Sequence, residues 1–304
     1  MKKEYNNIFY QNFDTSYEEK LTNNQIENYS SKYLSNLIDA KKRDLFKLSE
    51  IKKTGDSTTC KVEITQQSIH PFSEGGFHLS GVPVCEFIDL LVRKVFKNKL
   101  ILDIEYFEMF CNKPIRKKIL KPFIFIDRKN YKKESENLIN VSYDIENSSF
   151  TGVIKYNSKT PSQVISNNID ASTDLSKYNT FEILDFDVKG LESNVNINFN
   201  SNTISSDGYV LGPGLALTIC SQLVIIHIYS ISDVKKKNKG VVVSNFKYNC
   251  IKNIKSNNTI NFRSIVKKIK TSNKSHKYIE VNVECLFNDG DTIVELTYFF
   301  DPFS

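Results

Sequence analysis

An α+β protein built from two similar units is the fold class the sequence predicts, and two observations point there. The order strand, polar loop, apolar helix, then several alternating strands occurs once in roughly residues 56–158 and again in 181–304. The second helix lies in the most apolar run of the chain, residues 208–229, GYVLGPGLALTICSQLVIIHIY. Internal repetition of this kind argues for duplication. A helix apolar on nearly every face needs a sheet around it.

That apolar run is too short for a membrane span. Its hydrophobic part, residues 215–229, falls below the roughly 20 residues a bilayer requires, and it contains Gln222 and His227. A buried helix starting near Pro213 is expected, because proline in a first helical turn gives up no hydrogen bond. The rest of the composition is globular: 304 residues, 40% hydrophobic and 25% charged. The opening MKKEYNNIFYQNFD has no signal-like apolar stretch, so a soluble, cytoplasmic protein is expected. Six scattered cysteines form no C-x-x-C pair and no zinc-finger spacing with histidine, so they are expected as reduced, mostly buried thiols, with no metal and no cofactor.

The net charge of +6 is gathered in short lysine and arginine runs at 41–43, 116–118, 235–237 and 267–268. Such runs are ordinarily solvated surface, and an acidic protein partner is the alternative. Nucleic acid is not expected, since the aromatic residues follow strand alternation and no nucleic-acid-binding motif occurs.

In chain order, residues 1–55 form a helical extension: Tyr29, Tyr33, Leu34, Leu37, Ile38, Leu45 and Leu48 recur at three- and four-residue steps within a predicted helix over 17–51. Residues 59–67 alternate as a strand, and 69–84, IHPFSEGGFHLSGVPV, form a Gly- and Pro-containing loop. The helix CEFIDLLVRKVF follows, then strands near 100–110, 117–128, 137–146 and 150–157. A Ser-, Asn- and Thr-rich linker covers 159–180. The second unit opens with a strand at 181–188 and a polar segment before its helix, and four further strands follow it. A tight turn at Asn288, Asp289, Gly290 and Asp291 joins the last two.

Both units resemble hotdog folds of the acyl-carrier-protein 3-hydroxyacyl dehydratase type, in which a sheet wraps a long central helix and two units pair side by side. The segment VLGPGLALTICSQL resembles that family's apolar stretch with Pro-Gly, an acidic residue, and Gln four residues on. GFHLSGVPV resembles its His, Phe, Pro, Gly, any residue, Pro, Val, and IEYFEMFCNKPI and SNFKYNCI resemble its first strand after the helix. The likeness covers roughly 56–304. It implies a double hotdog: two antiparallel sheets, each wrapped round a long central helix, behind an N-terminal helical extension.

The resemblance also implies a chemistry. Dehydration of a carrier-bound 3-hydroxyacyl thioester, in fatty-acid or polyketide-type biosynthesis, needs a base for the α-proton, an acid for the leaving hydroxyl, and N–H donors at the carbonyl. His78 fits the base position through its H-x-x-G-x-P-V context, with Gly81, Pro83 and Val84 as matches. FSEGGF resembles Phe-Phe-x-Gly-His-Phe and puts Gly76 there instead. Pro213 and Gly214 would let the thioester approach the helix N-terminus. At the family's acid position stands Thr218, with Gln222 four residues on. Asp89, four residues before Arg93, is the candidate acid of the first helix. Two composite sites follow: His78 with Thr218, Cys220 and Gln222, and Asp89 with Asp207 and Tyr209.

Plainer roles compete for several of these residues. His78 and Asp89 fit solvated positions, His70 and His276 fit loops, and His227 fits a satisfied core histidine. Three functions remain: a dehydratase; another acyl-thioester chemistry, such as a thioesterase or butenolide-synthase-like acyl transfer; or a non-catalytic acyl-binding double hotdog. The expected partners are an acyl carrier protein or an acyl-CoA thioester, with the chain a monomeric pseudo-dimer or a homodimer.

Overall fold

Antiparallel strands dominate the protein, and their order repeats. The computed structural model describes residues 13–29, 46–64, 79, 81–96, 100–127, 137–159, 180–201, 203–232, 242–256, 258–271 and 279–300. Strand β1 (Glu18–Lys20) and helix α1 (Asn23–Tyr29) come first. The first unit has β2 (Phe46–Thr54), β3 (Ser57–Ile64), helix α2 (Gly81–Phe96), β4 (Ile101–Cys111), β5 (Ile119–Leu120), β6 (Phe123–Asp127), β7 (Asn137–Ile145) and β8 (Phe150–Lys159). The second has β9 (Thr180–Lys189), β10 (Glu192–Asn200), a small hairpin of β11 (Ile204–Ser205) and β12 (Gly208–Tyr209), helix α3 (Pro213–Ile231), β13 (Val242–Cys250), β14 (Thr259–Thr271), β15 (Ile279–Phe287) and β16 (Thr292–Phe300).

Strand order in the first unit is β2-β3-β6-β7-β8-β4, and in the second β9-β10-β14-β15-β16-β13. The two orders superimpose element for element. The sequence predicts two sheets, whereas the structure has one continuous sheet, because β4 and β13 pair antiparallel and so remove what would be two open edges. At this seam Glu108 is the register partner of Lys247, Phe107 of Tyr248, and Met109 of Phe246. Matching FEMFC to FKYNC makes Phe107 the counterpart of Phe246 and Glu108 that of Lys247. A pseudo-two-fold axis therefore passes the Glu108–Lys247 pair, whose side chains are 3.9 Å apart. Beside it the rings of Phe107 and Phe246 lie 5.9 Å apart.

Alternation sets the faces. In β15 every second residue (Ile279, Val281, Val283, Cys285, Phe287) is buried, and Cys60, Val62 and Ile64 of β3 do the same. Helix α2 buries one face, through Val84, Phe87, Ile88, Leu91 and Val92. Helix α3 begins at Pro213, as predicted, and is buried except at Ser221, Ile225 and Tyr229, which lie four residues apart on one narrow stripe. At 19 residues it is longer than the hydrophobic part expected over 215–229 and, contrary to that expectation, long and apolar enough to cross a membrane by length and composition alone; its burial in the core accounts for that apolarity.

Several predicted elements differ. Of the helix expected over 17–51, residues 18–20 instead form β1 and pair β9, and only Asn23–Tyr29 is helical among the described residues. Residues 46–51, expected as the end of a helix, belong to β2, with Phe46 and Leu48 pairing Ile64 and Val62 of β3. Hydrophobic steps of three and four residues gave way there to a period of two, before a bulge at Glu50 and Ile51. The polar segment after β9 contains β10, where Val195, Ile197 and Phe199 point inward between asparagines. Residues 81–84, expected in a loop, form the first turn of α2, with Pro83 where a missing N–H is harmless. The predicted linker falls largely outside the described residues, as does the middle of the N-terminal extension.

The described N-terminal residues strap the second unit. Asp14 N–H donates to Ile231 O (2.7 Å), Gly190 N–H to Tyr17 O (2.7 Å) and Leu21 N–H to Phe186 O (2.8 Å), while β1 pairs β9. Helix α1, capped by Thr22 and Gln25 in a reciprocal capping box, packs on α3. All six cysteines are free, and Cys60, Cys85, Cys220 and Cys285 are buried. Of the basic runs, Arg116, Lys117, Lys118, Lys267 and Lys268 are exposed, with Lys117 paired to Glu146 and Lys267 to Glu284.

Candidate functional site

The N-terminal turns of α2 and α3 meet across the boundary between the units. A β-carbon on Gly81 would lie 2.6 Å from Met109 Cε and 3.2 Å from Leu217 Cδ2, and one on Gly214 would lie 2.7 Å from Glu86 Cγ and 2.9 Å from Glu86 Oε1. Contact moves forward along α2 as it moves back along α3, so the two turns cross in opposite senses. Only glycine fits at 214 while Glu86 stays where it is.

The head of α3 is chemically distinctive. Gly212 is its N-cap and supplies no side-chain cap, and Pro213 has no N–H. The N–H groups of Gly214 and Leu215 have no intrahelical acceptor, and the positive end of the helix dipole points the same way. Tyr248 Oη donates to Leu211 O (2.7 Å), and Leu211 N–H donates to Ile254 O (2.9 Å), which fixes the approach to the head. A carboxylate from the other unit, Glu86, thus stands against a helix N-terminus. The sequence by its pattern points to Asp89 and not to Glu86. Glu86 lies three residues before Asp89, nearer the start of the helix, and only the crossing of two distant helices brings it to Gly214.

The other sequence-predicted residues sort clearly. His78 and Gly76 lie outside the described residues, as do His70 and His276. Gly81 and Pro83 are in the first turn of α2, and Pro213 and Gly214 in that of α3. Thr218 is buried and its hydroxyl donates back to Gly214 O (2.9 Å) within the same helix. Gln222 is buried on α3. Cys220 is buried, and desolvation first, then its contact with Cys285, raises its pKa well above the ordinary thiol value, so it is held as a thiol.

Asp89 sits in a different environment. Arg93 Nε donates to both of its oxygens (3.0 and 2.9 Å), and Tyr156 Oη donates to Oδ1 (3.0 Å). Burial alone would lower the Arg93 pKa, but its surroundings, Asp89 first and then Tyr156 and Asp103, keep it raised, so the guanidinium stays charged. Burial, then Asp89, lifts the Tyr156 pKa well above normal and holds the phenol as a donor. Among the described residues no hydrogen bond joins Asp89 to Asp207 or to Tyr209, and both of these are exposed. Arg93 Nη1 instead reaches Ile204 O (3.1 Å) in the same small hairpin. The expected second composite site is therefore represented by a contact from Arg93 to backbone.

His227 is a satisfied core histidine. Nε2 lies 2.9 Å from Gly190 O, which only accepts, so Nε2 carries the proton. Nδ1 then accepts from Ser264 Oγ (2.7 Å), and Ser193 Oγ donates to Ser264 Oγ (2.7 Å). Burial lowers the His227 pKa to about 4, against the opposing pull of the Gly190 carbonyl and Glu192. Among the described residues no group of three or more His, Cys, Asp or Glu is placed to hold a metal ion.

No family model matches the sequence, and no curated protein matches it. Similar solved structures include a 12:0-ACP thioesterase from Umbellularia californica, 7% identical, covering 80% of this chain and 94% of that one at a TM-score of 0.48. A conserved protein of unknown function with a hot dog fold from Alicyclobacillus acidocaldarius is 8% identical and covers 82% and 94% at 0.43. A bifunctional dehydratase-cyclase domain in ambruticin biosynthesis is 8% identical and covers 83% and 93% at 0.39.

Proposed function

We propose that this chain is a double hotdog acting on an acyl thioester, with the thioester carbonyl taken at the head of α3 and Glu86 as the ionisable group beside it. The observation that carries the reading is the meeting of Glu86 with Gly214, a carboxylate from one unit against the first turn of the other unit's central helix. Developing negative charge on a carbonyl oxygen is stabilised by such donors, and a carboxylate next to it serves proton transfer.

Two chemistries fit this arrangement. In dehydration of a 3-hydroxyacyl thioester, His78 removes the α-proton. Glu86 protonates the departing hydroxyl, giving an enoyl thioester and water, and so fills the acid role that Thr218 is unsuited to. In hydrolysis, Glu86 takes a proton from a water whose oxygen bonds to the carbonyl carbon, the C–S bond breaks, and Glu86 returns the proton to the departing sulfur, giving a carboxylic acid and the free thiol. The H-x-x-G-x-P-V context of His78 favours the first, and the position of Glu86 at the carbonyl favours the second. The substrate would be borne on an acyl carrier protein or coenzyme A, in the cytoplasm.

Incubation with 3-hydroxyacyl, enoyl and saturated acyl thioesters, followed by intact mass of the carrier, separates them. Loss of water signals dehydration, loss of the whole acyl group signals hydrolysis, and no change with any thioester rejects both. Glu86→Gln should abolish either reaction, and His78→Ala only dehydration.

A further inference from the structure

The hairpin at residues 204–209 immediately precedes α3 in the chain. It is fastened to the first unit from two sides. Arg93 Nη1 donates to Ile204 O (3.1 Å) while its Nε is committed to Asp89. Asp103 of β4 accepts from Ser206 N–H and from Ser206 Oγ, both at 2.8 Å. Lys159 completes this second anchor, 3.7 Å from Asp103 Oδ2 and 3.2 Å from Ser206 Oγ. Asp89 and Arg93 have side chains only 12% and 17% exposed, and Asp103 only 10%, so the bonds of Arg93 and Asp103 to the hairpin are largely shielded from water, whereas Lys159 is exposed at the surface.

The base of the hairpin leads directly to α3. Val210 N–H donates to Thr203 O (2.8 Å), and Thr203 packs so closely on Gly212 that a β-carbon there would collide with its hydroxyl. Gly212 is the N-cap of α3. Movement of the hairpin must therefore move the residue that starts the helix.

We infer that the Asp89–Arg93–Tyr156 cluster and Asp103 form a latch that holds the 204–209 hairpin on the first unit and, through Thr203 and Gly212, sets the backbone at the head of α3. Asp89 and Arg93 are then positioning residues acting from the opposite unit. The importance of the head rests on the acyl-thioester reading above, whereas the latch itself does not.

Hydrogen–deuterium exchange on the full chain tests this without any substrate. Arg93→Lys keeps the charge but cannot span both Asp89 and Ile204 O, and Asp103→Asn weakens the second anchor at the sheet surface. Both variants should exchange the amides of 203–212 and of Gly214–Leu217 about ten-fold faster, the effect of losing one well-shielded hydrogen bond. Amides of β14 and β15 should be unchanged. The latch is overturned if neither segment changes, or if protection falls uniformly over both units. Faster exchange in the hairpin with no change in the first turn of α3 overturns the positioning role. An inactive wild type would leave these exchange results as they stand, so failure of the functional reading is visible separately.

Discussion

Glu86 and Gly214 belong to different units and touch where two helix ends cross, with Glu86 Cγ 2.7 Å from the position a β-carbon on 214 would take. Alanine is the better helix former by about 1 kcal/mol, yet Gly214→Ala should destabilise the protein by roughly 1–3 kcal/mol through overpacking. Adding Glu86→Ala removes the obstruction, so the double variant should recover at least about 0.5 kcal/mol relative to the summed single losses. Urea unfolding of the four proteins gives the cycle. Strict additivity would mean that Glu86 does not stand at the head of α3.

Thr218 provides a functional contrast. Its hydroxyl is spent on Gly214 O within its own helix, so Thr218→Val should leave turnover of any accepted thioester within about two- to three-fold of wild type and cost about 1 kcal/mol of stability. Glu86→Gln should lose activity without comparable unfolding. Rates measured on both variants, with circular dichroism as the control, decide between them, and a dead Thr218→Val enzyme would return the chemistry to threonine.

Acid should destabilise the second unit through His227. Its pKa is about 4 in the fold against an ordinary value of 6.5, so the unfolded chain binds the proton first. Stability from this residue is intact above pH 6.5 and declines as pH falls toward 4, by on the order of 3 kcal/mol in all. Unfolding free energies between pH 7 and 4 should fall less steeply in His227→Gln, compared with its own value at pH 7. Equal slopes would show that the ring is not held neutral.

Gly152 tests the sheet of the first unit. A β-carbon there would collide with Glu108 O and lie 2.5 Å from Tyr143 Oη, which itself donates to Glu108 O (3.0 Å). Backbone cannot yield as a flexible side chain does, so Gly152→Ala should cost more than about 3 kcal/mol. Tyr143→Phe, losing only the hydrogen bond, should cost about 1 kcal/mol. Thermal melts of the two variants rank them, and an unaffected Gly152→Ala protein would refute the close approach of β8 to β4.

Local pattern carried much of the fold. Pro213 marked a helix start because its ring suits a first turn wherever the helix packs, and Asn288, Asp289 and Gly290 marked a turn that does adopt positive φ angles. Residues 46–54 and 192–200 are not legible as strands in the sequence, for different reasons. In β2 a bulge at Glu50 and Ile51 interrupts the alternation, and in β10 the intervening asparagines looked like loop composition although Val195, Ile197 and Phe199 keep a strand period.

By itself, then, the sequence determined two repeated units, a buried second helix and the composition of its Gly-Pro-Gly head, because helix and strand periods and turn chemistry are properties of neighbours along the chain. Tertiary structure alone decided which groups meet. The seam of Glu108 with Lys247, the turning of Asp89 toward Tyr156, and the arrival of Glu86 at Gly214 join residues from 67 to 139 positions apart. No local periodicity encodes such distances. They are set by how two twisted half-sheets join along one edge and how the helices they carry then cross.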